Sequence, residues 1–236
     1  MRVINRCTGG EAVPAVLGAI LLAAVGLGAV AIHVAGPPAG WMNVNLGLAF
    51  APPVLATVLF AARRRRMMWW AGSVLLLALL PNAPYVLTDV IHAPGGLAWA
   101  HALGGSGIAL GAAYLGLFTA GIVGYCYVLS LLVTDLRRHG RGRLVVPVLT
   151  ATHAACAVGV WLGRVHRLNS WDAAHPRLLA AALSEAANPQ ALTAIAVVFV
   201  GVGAAALLVL RLTDTAAHRF GPVWRRLGGP PLSPQR

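Results

Sequence analysis

Six stretches of this chain stay apolar for about 20 residues each, the length a helix needs to cross a hydrocarbon core of roughly 30 Å at about 1.5 Å per residue. They lie near 13–34, 44–62, 67–87, 107–133, 144–163 and 191–210. One water-soluble core cannot hide them all. Of the 236 residues, 58% are hydrophobic and only 10% are charged, where a soluble domain carries roughly 25% charged residues. The expected fold is therefore all-α: a polytopic bundle of six transmembrane helices, forming one domain over 1–227. The Pro/Gly-rich tail over 228–236 is expected to be disordered. The first apolar run, about 22 residues, exceeds the 7–15 of a signal-peptide core, so it reads as a retained helix.

The net charge of +12 does not indicate nucleic acid, because the charges form no basic face. They fall in short clusters between the apolar runs, as orientation signals do. All 18 basic residues are arginine, which together with the Ala and Gly excess suggests a GC-rich, bacterial source. Fifteen of them lie at the two ends of the chain and in the second and fourth loops, including Arg63-Arg64-Arg65-Arg66. Only Arg164, Arg167 and Arg177 fall on the other side. Under the positive-inside rule both termini are cytoplasmic, and the expected location is a bacterial inner membrane crossed several times. Cys7, Cys126 and Cys156 have neither disulfide nor metal-ligand spacing and read as inert thiols.

Three features depart from a plain bundle. Pro81-Asn82-Ala83-Pro84 follows only 14 residues of the third segment, about 21 Å of helix, so helix three is expected to end or kink sharply within the outer leaflet. Irregular backbone at that depth must be buried in protein or line a wet cavity. Pro52-Pro53 interrupts the second segment near its middle. His153, flanked by Thr150 and Thr152, sits near the centre of the fifth; at that depth it is a functional candidate, or a neutral group bonded to a threonine or a carbonyl.

The polar residues gather at one side. Asn43 and Asn45 open the second segment. Asn82, Tyr85, Thr88, Asp89 and His92 close the third. Arg164, Arg167, Asn169, Asp172 and His175 follow the fifth. The wording here is distinctive. Residues 81–92, PNAPYVLTDVIH, and 163–172, GRVHRLNSWD, resemble signatures of a bacterial membrane family, domain of unknown function 1361. Residues 45–52, NLGLAFAP, resemble a third and weaker one. The resemblance covers roughly 40–212 and implies a multi-spanning inner-membrane protein without implying a reaction. His166 stands where that family has an apolar or aromatic residue, so it is not a catalytic candidate.

The chemistry these residues allow is specific. Asp89 and His92 are spaced i, i+3, and Asp172 and His175 repeat that spacing. The four together are candidate ligands for a divalent metal, zinc among them. Alternatively each Asp caps a helix or pairs with an arginine. As catalytic groups Asp89, His92 and Asp172 would supply base and acid. Asn45, Asn82, Tyr85, Arg164, Arg167 and Asn169 would bind substrate, the two arginines holding a phosphate or carboxylate. Equally, the arginines neutralise Asp89 and Asp172 or simply meet lipid headgroups, and the asparagines satisfy carbonyls freed by the prolines. The G-x-x-x-x-G-K-[ST], H-E-x-x-H and G-x-S-x-G motifs are absent.

Three functions fit this pattern. One is a hydrolase or transferase acting on a lipid or lipid-linked substrate at the outer face. Another is a transporter or ligand-binding protein, which requires a polar path inward past Pro52-Pro53 toward His153. The third is a structural subunit whose motifs lock helices together. The expected partner is membrane lipid and not nucleic acid; the oligomeric state is not encoded in any pattern found.

Overall fold

The structure is a computed structural model that describes residues 12–61, 66–93, 95, 96, 98, 107–169, 172 and 174–226; for 12, 38, 66 and 216–226 it describes the backbone alone. Cys7, the arginines at 63–65, Ser170, Trp171 and the tail from 228 lie outside the described residues.

Among the described residues the chain is helical, without strands. The helices are α1 (Ala12–Ala35), α2 (Gly40–Ala61), α3 (Arg66–Leu79), α4 (Asn82–Tyr85), α5 (Gly107–Arg138), α6 (Val145–Val165), α7 (Pro176–Ser184) and α8 (Pro189–Arg226). Six segments are long and apolar enough to cross a membrane: Val13–Ala35, Gly40–Ala61, Met67–His92, Gly107–Arg138, Gly142–Val165 and Pro189–Thr215. The polytopic six-helix bundle read from the sequence is therefore the fold. α7 is a short additional helix that the apolar pattern does not announce.

α5 is the centre of the bundle. In its most apolar stretch 72% of residues are buried, against 11% in α8, so α8 turns most of its surface to the surroundings. α1 lies along α5 with Val13, Leu17, Leu21 and Ala24 on its buried stripe, a 3.6-residue period facing one neighbour. Lipid tails are as apolar as leucine, so tight helix contact here must come from van der Waals packing. The two helices meet it with glycine. A Cβ on Gly116 would lie 2.6 Å from the Gly28 Cα, so the backbones touch and position 116 admits no side chain. Hydroxyls within the apolar helices bond back along their own helix, as Thr57 does to the Pro53 carbonyl (2.8 Å) and Thr134 to the Ser130 carbonyl (2.8 Å), which spares them an unpaired donor in an apolar medium.

The two proline pairs behave differently. α2 continues through Pro52 and Pro53, both buried, with Pro53 seated against the space left by Gly124. The Pro81 region does break α3, but by a kink and not a stop. After one turn at Leu80-Pro81 the chain resumes as α4 and then as a 3-10 helix over Val86–His92. Pro81 has φ −57° and ψ −25°, an ordinary helix-entry geometry that needs no N–H from the proline. The carbonyl of Leu80 accepts from Ala83 N–H (3.1 Å) and that of Pro81 from Tyr85 N–H (3.0 Å). The third span thus runs on to His92, five residues past its expected end. Seven residues of 3-10 helix exceed the usual three or four, so tertiary contacts must hold them.

Those contacts are visible at three glycines. A Cβ on Gly121 of α5 would collide with the Ala83 carbonyl and Val86; one on Gly159 of α6 would collide with the Pro81 ring; one on Gly163 would sit 3.2 Å from the Tyr85 ring. The kinked segment is therefore wedged between α5 and α6, where only glycine leaves room. Below that wedge, α3 and α6 diverge and leave a groove.

Candidate functional site

Asp89 is the hub of the polar end. It is 3% exposed, and both carboxylate oxygens are occupied. Arg164 Nη2 donates to Oδ1 at 2.7 Å, and Asn45 Nδ2 donates to Oδ2 at 3.1 Å. One carboxylate thus ties α2, the 3-10 segment and α6 together. This is the ion-pair alternative for Arg164, realised. A charge this deep requires such a partner, since removal from water costs several kcal/mol unless Coulomb attraction and hydrogen bonds offset it.

The same guanidinium is fixed on two further sides. Its Nε donates to Thr88 Oγ1 at 2.9 Å, and Nη2 also contacts that oxygen. Thr88 Oγ1 in turn donates to the Tyr85 carbonyl at 2.6 Å, so the hydroxyl uses its one proton on the backbone and its lone pairs on the arginine. The Arg164 Cζ lies 4.6 Å from the Tyr85 ring centroid, a cation–π contact. Arg164 thus has a partner on each of three sides, with Asp89 as its counter-ion.

Beside this hub lies a cavity of about 1060 Å³. Its polar end is lined by Asn45, Asn82, Tyr85, His92, Arg164, Arg167 and Asn169; Leu48, Val74, Leu77, Ala155, Val158 and Leu162 line its apolar part, and Leu179 and Leu183 of α7 reach it from outside. Seven of the ten residues selected from the sequence therefore meet on one surface. Asp89 stands directly behind it. Val74 and Leu77 are exposed although they line the cavity, so the groove is open sideways along α3 and not sealed inside the bundle.

A family described as protein of unknown function, DUF1361, has a sequence model that matches residues 44–205. The chain belongs to that family. The DUF1361 match begins one residue before Asn45 and takes in the kinked third span, α5, α6 and the first part of α8, so every lining residue of the cavity lies within it. α1, which packs along α5, lies outside it. No curated protein matches the chain, and no solved structure does.

The remaining expectations for this DUF1361 chain divide by geometry. Asp172 does not reach the cavity: its Oδ2 accepts the backbone N–H of Asn169 at 2.7 Å and its own N–H donates to the Asn169 carbonyl at 2.9 Å. It closes a local turn, the capping alternative. His175 is the exposed residue before α7, with its N–H on the Asp172 carbonyl at 2.9 Å. Among the described residues no three His, Cys, Asp or Glu side chains come together to hold a metal ion. The proposed quartet of Asp89, His92, Asp172 and His175 is thus not assembled, because Asp89 points inward to Arg164 while Asp172 is spent on its own turn. His92 is exposed and lines the cavity.

Arg167 lines the same cavity as Arg164 but has different surroundings. It follows the end of α6 with φ +54°, and among the described residues no other non-glycine has positive φ. It is exposed, lines the cavity, and has no hydrogen-bond or carboxylate partner among the described residues. The left-handed turn brings Leu168 N–H back to the Leu162 carbonyl at 3.4 Å, ending the helix.

His153 is fully accounted for elsewhere. Its Nε2 lies 2.8 Å from the Phe199 carbonyl and its Nδ1 2.6 Å from the Tyr125 hydroxyl. A carbonyl only accepts, so Nε2 donates to Phe199, and the imidazole joins α5, α6 and α8 through that bond and the one between Nδ1 and the Tyr125 hydroxyl. The flanking threonines are not its partners. The space beside it, bounded by Pro84, Cys156 and Val202, has no room for water. Cys126 and Cys156 are buried, free thiols.

Sequence reasoning missed the role of Thr88 as acceptor for Arg164, and it missed Gly121, Gly159 and Gly163. The G-x-x-x-G spacing of Gly159 and Gly163 was the available signal for close approach. The roof supplied by Leu179 and Leu183 had no such signal, since α7 is too short to stand out.

Proposed function

We propose that this chain binds a membrane-borne amphiphile, a lipid or lipid-linked substrate, in the cavity beside Arg164 and presents its polar end for hydrolysis or group transfer at the extracytoplasmic face of a bacterial inner membrane. One observation carries this reading: a single cavity has an apolar stretch open sideways along α3 and a polar end of three asparagines, a tyrosine, a histidine and two arginines. Such a gradient matches a molecule with a hydrocarbon tail and a polar head. A purely soluble substrate would gain nothing from Val74, Leu77 and Ala155.

The arginine distribution supports the orientation, with both termini on the cytoplasmic side. The cavity mouth then opens on the opposite side, at the depth where headgroups lie. His92 is the imidazole among the lining groups, exposed at the polar end. Asp89 acts through Arg164 as a positioning residue, because both its oxygens are already engaged. Transport has less support. The inner end of the cavity is apolar, and the space beside His153 does not admit water.

The test is native mass spectrometry of protein released from its membrane in a mild detergent, with Ala155→Trp as comparison. Ala155 lines the apolar stretch away from the polar end, and an indole there fills the groove. Co-purified lipid on the wild type and its loss from Ala155→Trp is the expected result. A wild type that carries no lipid and takes none up from mixed micelles would overturn the proposal.

A further inference from the structure

The two arginines at the polar end look equivalent in sequence, three residues apart on one helix end. Their surroundings make them chemically different. Arg164 has Asp89 at 2.7 Å, Thr88 beneath it and the Tyr85 ring at 4.6 Å. Its charge is balanced and its geometry complete without a ligand. Arg167 lines the same cavity, with no carboxylate, hydroxyl or ring against it among the described residues. Summed over Asp89, Arg164 and Arg167, the polar end carries one uncompensated positive charge. Among the described residues no acidic side chain lines the cavity; its other polar side chains are those of Asn45, Asn82, Tyr85, His92 and Asn169.

Backbone geometry adds a second observation. A left-handed conformation is disfavoured for an L-residue, and glycine is the usual occupant. The chain places an arginine there instead, at the first of three residues following α6, Arg167, Leu168 and Asn169, that line the cavity.

We infer that the amphiphile carries an anionic oxygen group, of phosphodiester or phosphomonoester type, and that Arg167 is its counter-ion while Arg164 orients the rim. This rests on the amphiphile reading above and narrows it to a charge class. A guanidinium offers such a group two parallel N–H donors, and the neighbouring carboxamides of Asn82 and Asn169 suit its remaining oxygens or an attached polar head. A neutral head such as a diacylglycerol hydroxyl would leave Arg167 unpaired.

The test uses purified full-length protein in a neutral alkyl-glycoside micelle. Native mass spectrometry follows binding of phosphatidylglycerol, diacylglycerol of the same chains, and inorganic phosphate. Five proteins are compared: wild type, Arg167→Gln, Arg167→Lys, Arg177→Gln and Ala155→Trp. Arg177 is exposed on α7 and does not line the cavity, so it reports general attraction of anions to this surface. The expected result is that wild type prefers phosphatidylglycerol over diacylglycerol by about ten-fold or more, the scale of one charge-assisted pair. Arg167→Gln should abolish the preference, Arg167→Lys should keep part of it, and Arg177→Gln should leave it unchanged.

Equal binding of phosphatidylglycerol and diacylglycerol, both lost in Ala155→Trp, would overturn the charge assignment while leaving the amphiphile reading in place. Equal losses in Arg167→Gln and Arg177→Gln would overturn it as well, by showing only surface attraction. Binding of neither lipid would remove the amphiphile reading and this inference with it. Competition by millimolar inorganic phosphate would show that the anionic group alone is recognised; its failure to compete would show that the lipid, with its tail, is the ligand. Both of these support Arg167 as the anion partner if Arg167→Gln abolishes the response.

Discussion

Arg164 Nη2 lies 2.7 Å from Asp89 Oδ1, joining a residue near the end of the third span to one near the end of the fifth, 75 positions apart. The pair sits where the side chains are 27% and 5% exposed. Its consequence is asymmetric. Losing Arg164 strands a buried carboxylate, whereas an asparagine at position 89 keeps a hydrogen-bonding shape without the charge.

The two single variants are therefore expected to differ. Arg164→Gln should destabilise the protein by about 3 kcal/mol or more, as breaking a buried pair from the cationic side does. Asp89→Asn should cost less, because the carboxamide oxygen it introduces can still accept from Arg164 and the arginine retains Thr88 and Tyr85. The double variant should be more stable than Arg164→Gln alone. Thermal unfolding in detergent measures all three; equal losses in the two single variants would contradict the asymmetry.

Glycine positions give the second prediction. A methyl group at Gly159 meets the Pro81 ring and one at Gly121 meets Ala83 and Val86, while Gly201 has open space around it. Gly159→Ala and Gly121→Ala should each cost about 1–3 kcal/mol, the range for overpacking. Gly201→Ala should be neutral or slightly stabilising, since alanine favours a helix interior over glycine by about 1 kcal/mol. Melting temperatures check the wedge: both wedge variants should melt below wild type, and Gly201→Ala should not.

Arg167→Gly isolates the strain. Glycine adopts positive φ freely, so the substitution removes a conformational penalty of about 1 kcal/mol, part of which is offset by a more flexible unfolded chain. The variant is expected to melt no lower than wild type. Its lipid selectivity should vanish all the same, so that stability and binding move independently. A clear loss of stability would mean that the guanidinium supports the fold.

Tyr125→Phe tests the buried bond to His153. It removes the partner of His153 Nδ1 and leaves that nitrogen unpaired inside the bundle, at a cost of about 1 kcal/mol. The Tyr125–His153 pair lies apart from the lining of the cavity, so lipid binding should be unchanged. Any loss of lipid affinity beyond the loss of folded protein would show that this buried pair and the cavity are coupled.

The six spans, the kink at Pro81 and the choice of polar residues are legible in the order of amino acids alone. Apolar length is a direct consequence of bilayer thickness, proline removes an N–H wherever it stands, and ionisable groups are costly at depth. Seven of the ten selected residues share one cavity for that reason. The tertiary structure alone decided their roles. Asp89 is spent on Arg164 and Asn45, Asp172 on the turn at Asn169, and Arg167 is left open. Two arginines three positions apart look alike until their neighbours are known. Those neighbours come from other helices, brought in by Gly121, Gly159 and Gly163. In a membrane every apolar face is equally content with lipid, so hydrophobic pattern tells which segments cross but not which ones touch.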